Sequence, residues 1–339
     1  MQNNFPSRSA PVSPWFIRGD RRRQWGVVLA GGEGVRLRPL TRFICGDERP
    51  KQFCPIFDGG VSLLQRTLTR SVRSIPADQT LFAVTRIHQR FYLSDLAGQE
   101  CRLIVQPADR GTAPAILASL LSIVNMDGDA LVVIMPSDHH FSDESLFTKA
   151  IESGFDIAAE SESVMLLAAP PTHADVEYGW IETVVPASKP EREGVFRIRA
   201  FHEKPATDRA DLLFRQGSLW NTFVMIGHVR AFLSLIQDAR PDLFAALSKI
   251  RFRADRETHI ADSVYEKIAS ADFSGQVLAA RVARLLALRF GAMGWSDLGD
   301  PARVVAALST ASGEPGWVRP WLLSMQSHPF AVAVAVGAA

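Results

Sequence analysis

Four apolar residues, Val27, Val28, Leu29 and Ala30, stop abruptly at Gly31, Gly32 and Gly34, and Arg36, Arg38 and Lys51 follow. A short apolar run ending in glycines reads as a buried strand running into a loop whose backbone comes close to a ligand. Uncovered amide N–H groups flanked by guanidinium and ammonium groups suit a polyphosphate. Two familiar phosphate loops do not fit. The dinucleotide fingerprint G-x-G-x-x-G would place a glycine where Leu37 stands. The P-loop would place its lysine directly after the last glycine, whereas Lys51 lies far downstream and precedes Gln52. What stands here is G-G-x-G-x-R-L-x-P-L-T, then P-K-Q-F at Pro50, Lys51, Gln52 and Phe53.

A second set of candidates follows the apolar stretch Ala130–Met135 (ALVVIM). Asp138, just past that stretch, is placed to hold Mg²⁺, a hard cation that takes one or two carboxylates plus phosphate oxygens. It could equally cap a helix beginning around Asp143. The neighbouring His139 and His140 raise the question of zinc, but no third nitrogen or sulfur ligand is spaced to complete such a site. Polar blocks recur on both sides of this stretch: Gln106 to Pro114 before, then Glu177-Tyr178-Gly179-Trp180, Phe201-His202-Glu203-Lys204-Pro205, Trp220-Asn221-Thr222 and Gly294-Trp295-Ser296-Asp297-Leu298-Gly299.

These blocks need a scaffold, and the alternation of patterns supplies one. Strands are expected at Thr80–Thr85, Arg102–Gln106, Ala130–Met135, Val164–Ala169, Gly179–Val185, Val195–His202, Leu219–Gly227 and Leu286–Phe290. Helical patterns fall at Leu63–Ser74, Ile87–Leu96 and Pro114–Val124, then near 208–216, 230–238, 241–250 and 258–269. The fold class implied is α/β: a doubly wound, mostly parallel sheet with a more mixed second half. In such sheets ligands gather at the carboxyl ends of strands, where these blocks lie. No clean linker divides the halves, and Pro186–Gly194 reads as a surface loop or hairpin.

Composition sets outer bounds. A chain of 339 residues that is 47% hydrophobic can bury a large core. A formal net charge of +1 argues against nucleic acid as a partner. Cys45, Cys54 and Cys101 form no C-x-x-C pattern, which fits a reducing, cytoplasmic setting rather than a disulfide framework. No apolar stretch reaches membrane-spanning length, so no membrane association is expected. Residues 1–24 carry prolines and Arg21-Arg22-Arg23 without a secretory apolar region, and read as a mobile arm.

Taken in order, the blocks resemble the sugar-1-phosphate nucleotidyltransferases, the nucleoside-diphosphate-sugar pyrophosphorylases, over roughly residues 25–308. The P-K-Q-F ending looks most like the mannose-1-phosphate guanylyltransferase branch. The resemblance implies a Rossmann-like domain over 25–309, with a nucleotide half to about 160 and a sugar-phosphate half from about 161, and a C-terminal extension over 310–339. It implies that Leu29, Ala30, Gly31, Gly32, Gly34, Gln106, Gly111, Thr112 and Ser137 bind the nucleotide. Tyr178, Gly179, Glu203, Lys204 and Asn221 would line the sugar phosphate, and Asp297 would share Mg²⁺ with Asp138. Arg36, Lys51 and Asp138 would carry the chemistry: transfer of a nucleotidyl group from a triphosphate, GTP first, to a sugar 1-phosphate, mannose 1-phosphate first. Homo-oligomer formation is left open. Structural alternatives are a helix start at Thr112 as N-cap, with Pro114 in the first turn, and Asp297 capping a helix near Asp300.

The chain also departs from the family. The interval from Thr41 to Pro50 is long and carries Arg42, Asp47, Glu48 and Arg49. Phe223 stands where members often have glycine in Asn-Ser-Gly, and it is expected to reshape the sugar pocket. No hexapeptide repeat for an appended left-handed β-helix follows residue 309, and Ala331–Val336 reads as a short strand or arm. UTP, dTTP or CTP with another acceptor is the alternative within the class. A non-catalytic nucleotide-sugar sensor is the alternative outside it.

Overall fold

The computed structural model describes residues 23–57, 60–184, 194–252, 254–309 and 313–327. The expectations for residues 1–22, for most of the Pro186–Gly194 loop and for the Ala331–Val336 tail lie outside the described residues.

Twelve strands form among the described residues: β1 (Gln24–Leu29), β2 (Thr80–Thr85), β3 (Arg102–Gln106), β4 (Leu131–Pro136), β5 (His140–Phe141), β6 (Val164–Ala169), β7 (Gly179–Thr183), β8 (Val195–Glu203), β9 (Leu219–His228), β10 (Glu257–His259), β11 (Leu285–Arg289) and β12 (Trp295–Ser296). Ten of them make one sheet in the order β10-β3-β2-β1-β4-β9-β6-β11-β8-β7. From β10 to β4 every pairing is parallel. Beyond β4, the antiparallel strand β9 makes the sheet mixed, and only β6 and β11 run parallel there.

Side chains alternate across the sheet, so one strand feeds two cores. Val27, Ile134 and Met225 pack on one face with the helices Thr112–Met126 and Val229–Ala239. Val28, Val133, Met135 and Ile226 pack on the other with Leu63–Ser71 and Glu144–Ala158. Burial on both faces explains why β2 and β4 read as unbroken apolar runs rather than alternating ones.

The 258–269 helix does not form as expected. Glu257–His259 instead pairs with β3 as an edge strand, and only Asp262–Tyr265 is α-helical. The open edge of β3 offers unpaired backbone groups, and satisfying them outweighs a weak local helical preference. Among the helices, Arg38–Cys45, which fills much of the long interval before Pro50, and Val318–Ser327 left no readable pattern. Within that interval Asp47 pairs with Arg49 at 2.8 Å and Arg42 with Glu48, so its charges are matched internally. Among the described residues, no helix is long and apolar enough to cross a membrane.

Candidate active site

Strand β1 lies between β2 and β4, so the chain leaving its carboxyl end emerges where the sheet's connections diverge to either side. The glycine loop sits there. Gly31 lies so close to its neighbours that a Cβ would come within 2.8 Å of the Thr85 hydroxyl and 3.3 Å of the Gln106 amide nitrogen. Gly32 faces open space, and Gly34 takes φ +57°, a left-handed conformation glycine adopts freely. Leu29 and Ala30 carry the strand into this loop, and the Ala30 N–H bonds the Ala83 carbonyl at 2.9 Å. Ser137 is buried under the loop, its N–H on the Leu29 carbonyl at 3.0 Å.

The P-K-Q-F segment now has a physical meaning. Lys51–Phe53 forms a single 3₁₀ turn, which sends three successive side chains in three directions. Gln52 donates to the Ala30 and Gly32 carbonyls at 3.1 and 2.7 Å, bracing the glycine loop. Phe53 is buried and stacks on Phe91. Lys51 crosses the cleft: its Nζ lies 3.1 Å from Asp138 Oδ2 and donates to the Asp297 carbonyl at 2.7 Å.

Asp138 and Asp297, far apart in sequence, meet because of a two-stranded sheet outside the main one. In it β12 pairs antiparallel with β5, Trp295 opposite Phe141 and Ser296 opposite His140. Neither aspartate is a helix cap. The helix after Asp138 is capped by Asp143, whose carboxylate accepts from the Leu146 N–H at 2.8 Å, and the helix after Asp297 by Asp300, accepting from Arg303 N–H at 2.9 Å. Asp297 Oδ1 instead accepts from Gly299 N–H, Arg303 and the Tyr178 hydroxyl. Burial would raise its pKa, but Lys51, His139 and Arg303 outweigh that and hold the carboxyl below the ordinary range. His139 is wedged beside them, accepting from the Trp295 indole N–H, and burial pushes its pKa down.

Around this centre the other candidates divide by position. Gln106 lies under the glycine loop, 3% exposed, its carboxamide oxygen taking the Tyr265 hydroxyl. Gly111 caps the helix that starts at Thr112, one residue earlier than the Thr112 cap considered from sequence, with Pro114 in its first turn. The Thr112 hydroxyl accepts from the Phe273 N–H at 2.8 Å instead. On the far side of the cleft, a Cβ on Gly179 would lie 3.0 Å from a Glu203 carboxylate oxygen and 3.4 Å from Asn221 Cβ, so the glycine keeps those two together. Partial desolvation, then the Asp272 carboxylate, push the Glu203 pKa up, although the residue as a whole is exposed. Tyr178 packs its ring against Trp220 and Trp295 and presents its hydroxyl to Asp297.

Three residues were given no role from sequence, although Glu177 heads one of the polar blocks. Glu177 Oε2 lies 2.5 Å from Arg36 and 4.0 Å from Lys204, so in this structure it spans two cations from opposite sides of the cleft. Arg303 and Asp175 form an ion pair behind Asp297. Among the described residues, the non-glycine residues with positive φ are Lys204, Phe223 and Leu298. They follow Glu203 directly, Asn221 by two and Asp297 directly, and backbone strain of this kind concentrates at functional sites. Phe223 sits in an irregular stretch of the β6–β9 pairing with φ +59°, where glycine would be unstrained, and its ring packs against the main core.

A family model for nucleotidyl transferases matches residues 25–312. The chain belongs to the nucleotidyl transferase family. It is 32% identical over 232 residues to mannose-1-phosphate guanylyltransferase RfbM of Salmonella typhimurium, covering 66% of this chain and 46% of that protein. It is 29% identical over 279 residues to the alginate biosynthesis protein AlgA of Pseudomonas fluorescens, covering 80% of this chain and 56% of that protein. The chain thus spans about half the length of these curated relatives. Among solved structures it resembles mannose-1-phosphate geranyltransferase from Thermus thermophilus, with TM-score 0.72 and 27% identity over 86% of this chain and 80% of that one. The mixed α/β fold is shared with a putative glucose-1-phosphate thymidylyltransferase of Bacillus anthracis, at TM-score 0.55 and 17% identity over 87% of this chain and 98% of that one.

Proposed function

We propose that the chain transfers a guanylyl group from GTP to mannose 1-phosphate, forming GDP-mannose and releasing pyrophosphate. The observation that carries this reading is the Lys51 ammonium, seated between the Asp138 carboxylate and the Asp297 carbonyl beside the glycine loop. The attacking oxygen of a sugar 1-phosphate is already anionic, so attack on the α-phosphorus needs no general base. The work left for the protein is positioning and charge neutralisation. Lys51 would steady the α-phosphate as a fifth oxygen approaches, and Arg36 would offset charge on the departing pyrophosphate once released from Glu177. Lys204 and Glu203 would receive the sugar phosphate and its hydroxyls, with Asn221 and Gly179 beside them.

Asp138 and Asp297 are the residues that would hold Mg²⁺, and their setting fits. A cation, the Lys51 ammonium, already contacts the Asp138 carboxylate and the Asp297 backbone carbonyl, and the two residues would offer only two carboxylates. That donor poverty suits an ion that completes its shell with phosphate oxygens and water. When bound, the ion would add Lewis-acid neutralisation of the phosphates. The choice of GTP and mannose 1-phosphate draws support from the names of the relatives; UTP, dTTP or CTP with another acceptor is the alternative. A sensor that binds without turnover would have no use for Arg36 and Lys51 placed as leaving-group apparatus. Chromatography of a mixture of GTP, mannose 1-phosphate, Mg²⁺ and protein should show GDP-mannose, and chelation should abolish it. A mixture that yields none, with or without Mg²⁺, rejects the proposal.

A further inference from the structure

Asp297 uses its two carboxylate oxygens unequally. Oδ1 accepts from Gly299 N–H at 2.9 Å, from Arg303 at 3.0 Å and from the Tyr178 hydroxyl at 3.3 Å. Among the described residues no hydrogen bond reaches Oδ2. The space beside Oδ2 is kept open as well, because a Cβ on Gly299 would come within 2.7 Å of it.

Arg303 is what fixes this asymmetry, and it is itself locked. Its second terminal nitrogen meets both oxygens of Asp175 at 2.8 and 2.7 Å, its Nε lies 3.3 Å from Asp300, and its guanidinium stacks over the Tyr178 ring at 4.3 Å. Asp175 is only 8% exposed and is pinned in turn by the Glu177 N–H at 2.7 Å. A planar fork satisfying three carboxylates and a ring face at once is something lysine cannot imitate. The pair also ties the loop before β7, on the sugar side, to the helix Pro301–Leu308 behind Asp297.

We propose that Arg303, locked by Asp175, is a positioning residue that holds Asp297 with Oδ1 occupied and Oδ2 turned out to receive a divalent cation. The proposal rests on Asp297 being a metal ligand. Loss of a group that orients a metal ligand typically weakens metal binding about 10–100-fold.

The test uses the full chain with mannose 1-phosphate and α,β-methylene-GTP, and follows Mn²⁺ binding through the free-ion electron paramagnetic resonance signal. Arg303→Ala should bind Mn²⁺ at least about 10-fold more weakly than wild type, and Arg303→Lys should recover little of the loss. Low millimolar guanidinium chloride should restore part of it to Arg303→Ala and nothing to wild type, a response that a purely structural role would not produce. If Arg303→Ala fails to fold, Asp175→Asn decides, with a several-fold weakening expected. Wild-type Mn²⁺ affinity in Arg303→Ala, with affinity lost in Asp297→Asn, overturns the positioning role alone. Wild-type affinity in Asp297→Asn shows instead that the metal assignment is wrong, and the positioning role falls with it.

Discussion

Four aspartates near the cleft fall into two kinds, and substituting each separates a chemical role from a structural one. Asp143 and Asp300 cap helices through the Leu146 and Arg303 amides. Asp138 and Asp297 cap nothing and meet at Lys51. Removing a cap costs about 1 kcal/mol. With an unfolding entropy of about 2 cal/mol/K per residue over a chain of this length, that lowers the melting temperature by about 1–3 °C. Asp143→Ala should show that loss and keep kcat. Asp300 also touches Arg303, which makes Asp143 the cleaner control. Asp138→Asn keeps the side-chain volume, and Lys51 retains its bonds to the Asp297 and Leu298 carbonyls, so the fold should survive with little change in melting temperature. Its kcat should fall by at least about 10²–10³, as when an electrostatic contact to the transition state is removed. Asp297→Asn should behave alike, and the double variant should be little worse than either single one, because the two act as a unit. Pyrophosphate release and thermal unfolding on the same proteins give both readouts. If Asp138→Asn and Asp297→Asn cost only melting temperature, additively and with kcat retained, the placement of the chemistry between them is refuted.

Arg36→Ala should lower kcat about 10²–10³-fold with a much smaller change in the KM for sugar phosphate, and a loss of only a few-fold in kcat would detach the glycine loop from the triphosphate. His140 is 5% exposed, stacks on Phe57 and has its pKa pushed down to about 4, mainly by burial. Because the unfolded state takes up the proton first, its contribution is complete above about pH 6.5 and is lost as pH falls toward 4, about 2 kcal/mol between pH 7.5 and 5. His140→Phe should flatten that part of the urea-measured stability profile, and an unchanged slope would show that His140 is not buried neutral. Gly111 has φ +85°, and a Cβ there would lie 2.5 Å from the Ala271 carbonyl oxygen. Gly111→Ala should therefore destabilise by about 1–3 kcal/mol in the same assay, with a loss under about 0.5 kcal/mol contradicting the close approach.

Much of the scaffold was legible because buried strands leave unbroken apolar patterns. Thr80–Thr85, Arg102–Gln106 and Val164–Ala169 form where their apolar runs place them. The joining of Asp138 to Asp297 was legible only through resemblance. The strands that bring them together, β5 and β12, have two residues each, too few for any periodicity. Glu177, Asp175 and Arg303 went unread for a different reason. Their partners lie up to 141 positions away, and a surface-type charge carries no sign of which opposite charge the fold will deliver. Phe223 is the sharpest case. The fold demands a left-handed backbone at that position, glycine would have announced it, and phenylalanine conceals it.

Pyrophosphate release measured across a matrix of GTP, UTP, dTTP and CTP against several sugar 1-phosphates, with Asp138→Asn as the blank, bears most directly on what this cleft does. The highest kcat/KM is expected for GTP with mannose 1-phosphate, only with a divalent cation, and at the blank's level when either substrate is withheld. Turnover led by another pair would move the specificity while leaving the chemistry in place. Release at the blank's level for every pair, alongside tight binding of GDP-mannose, would contradict it outright and make the cleft a sensor.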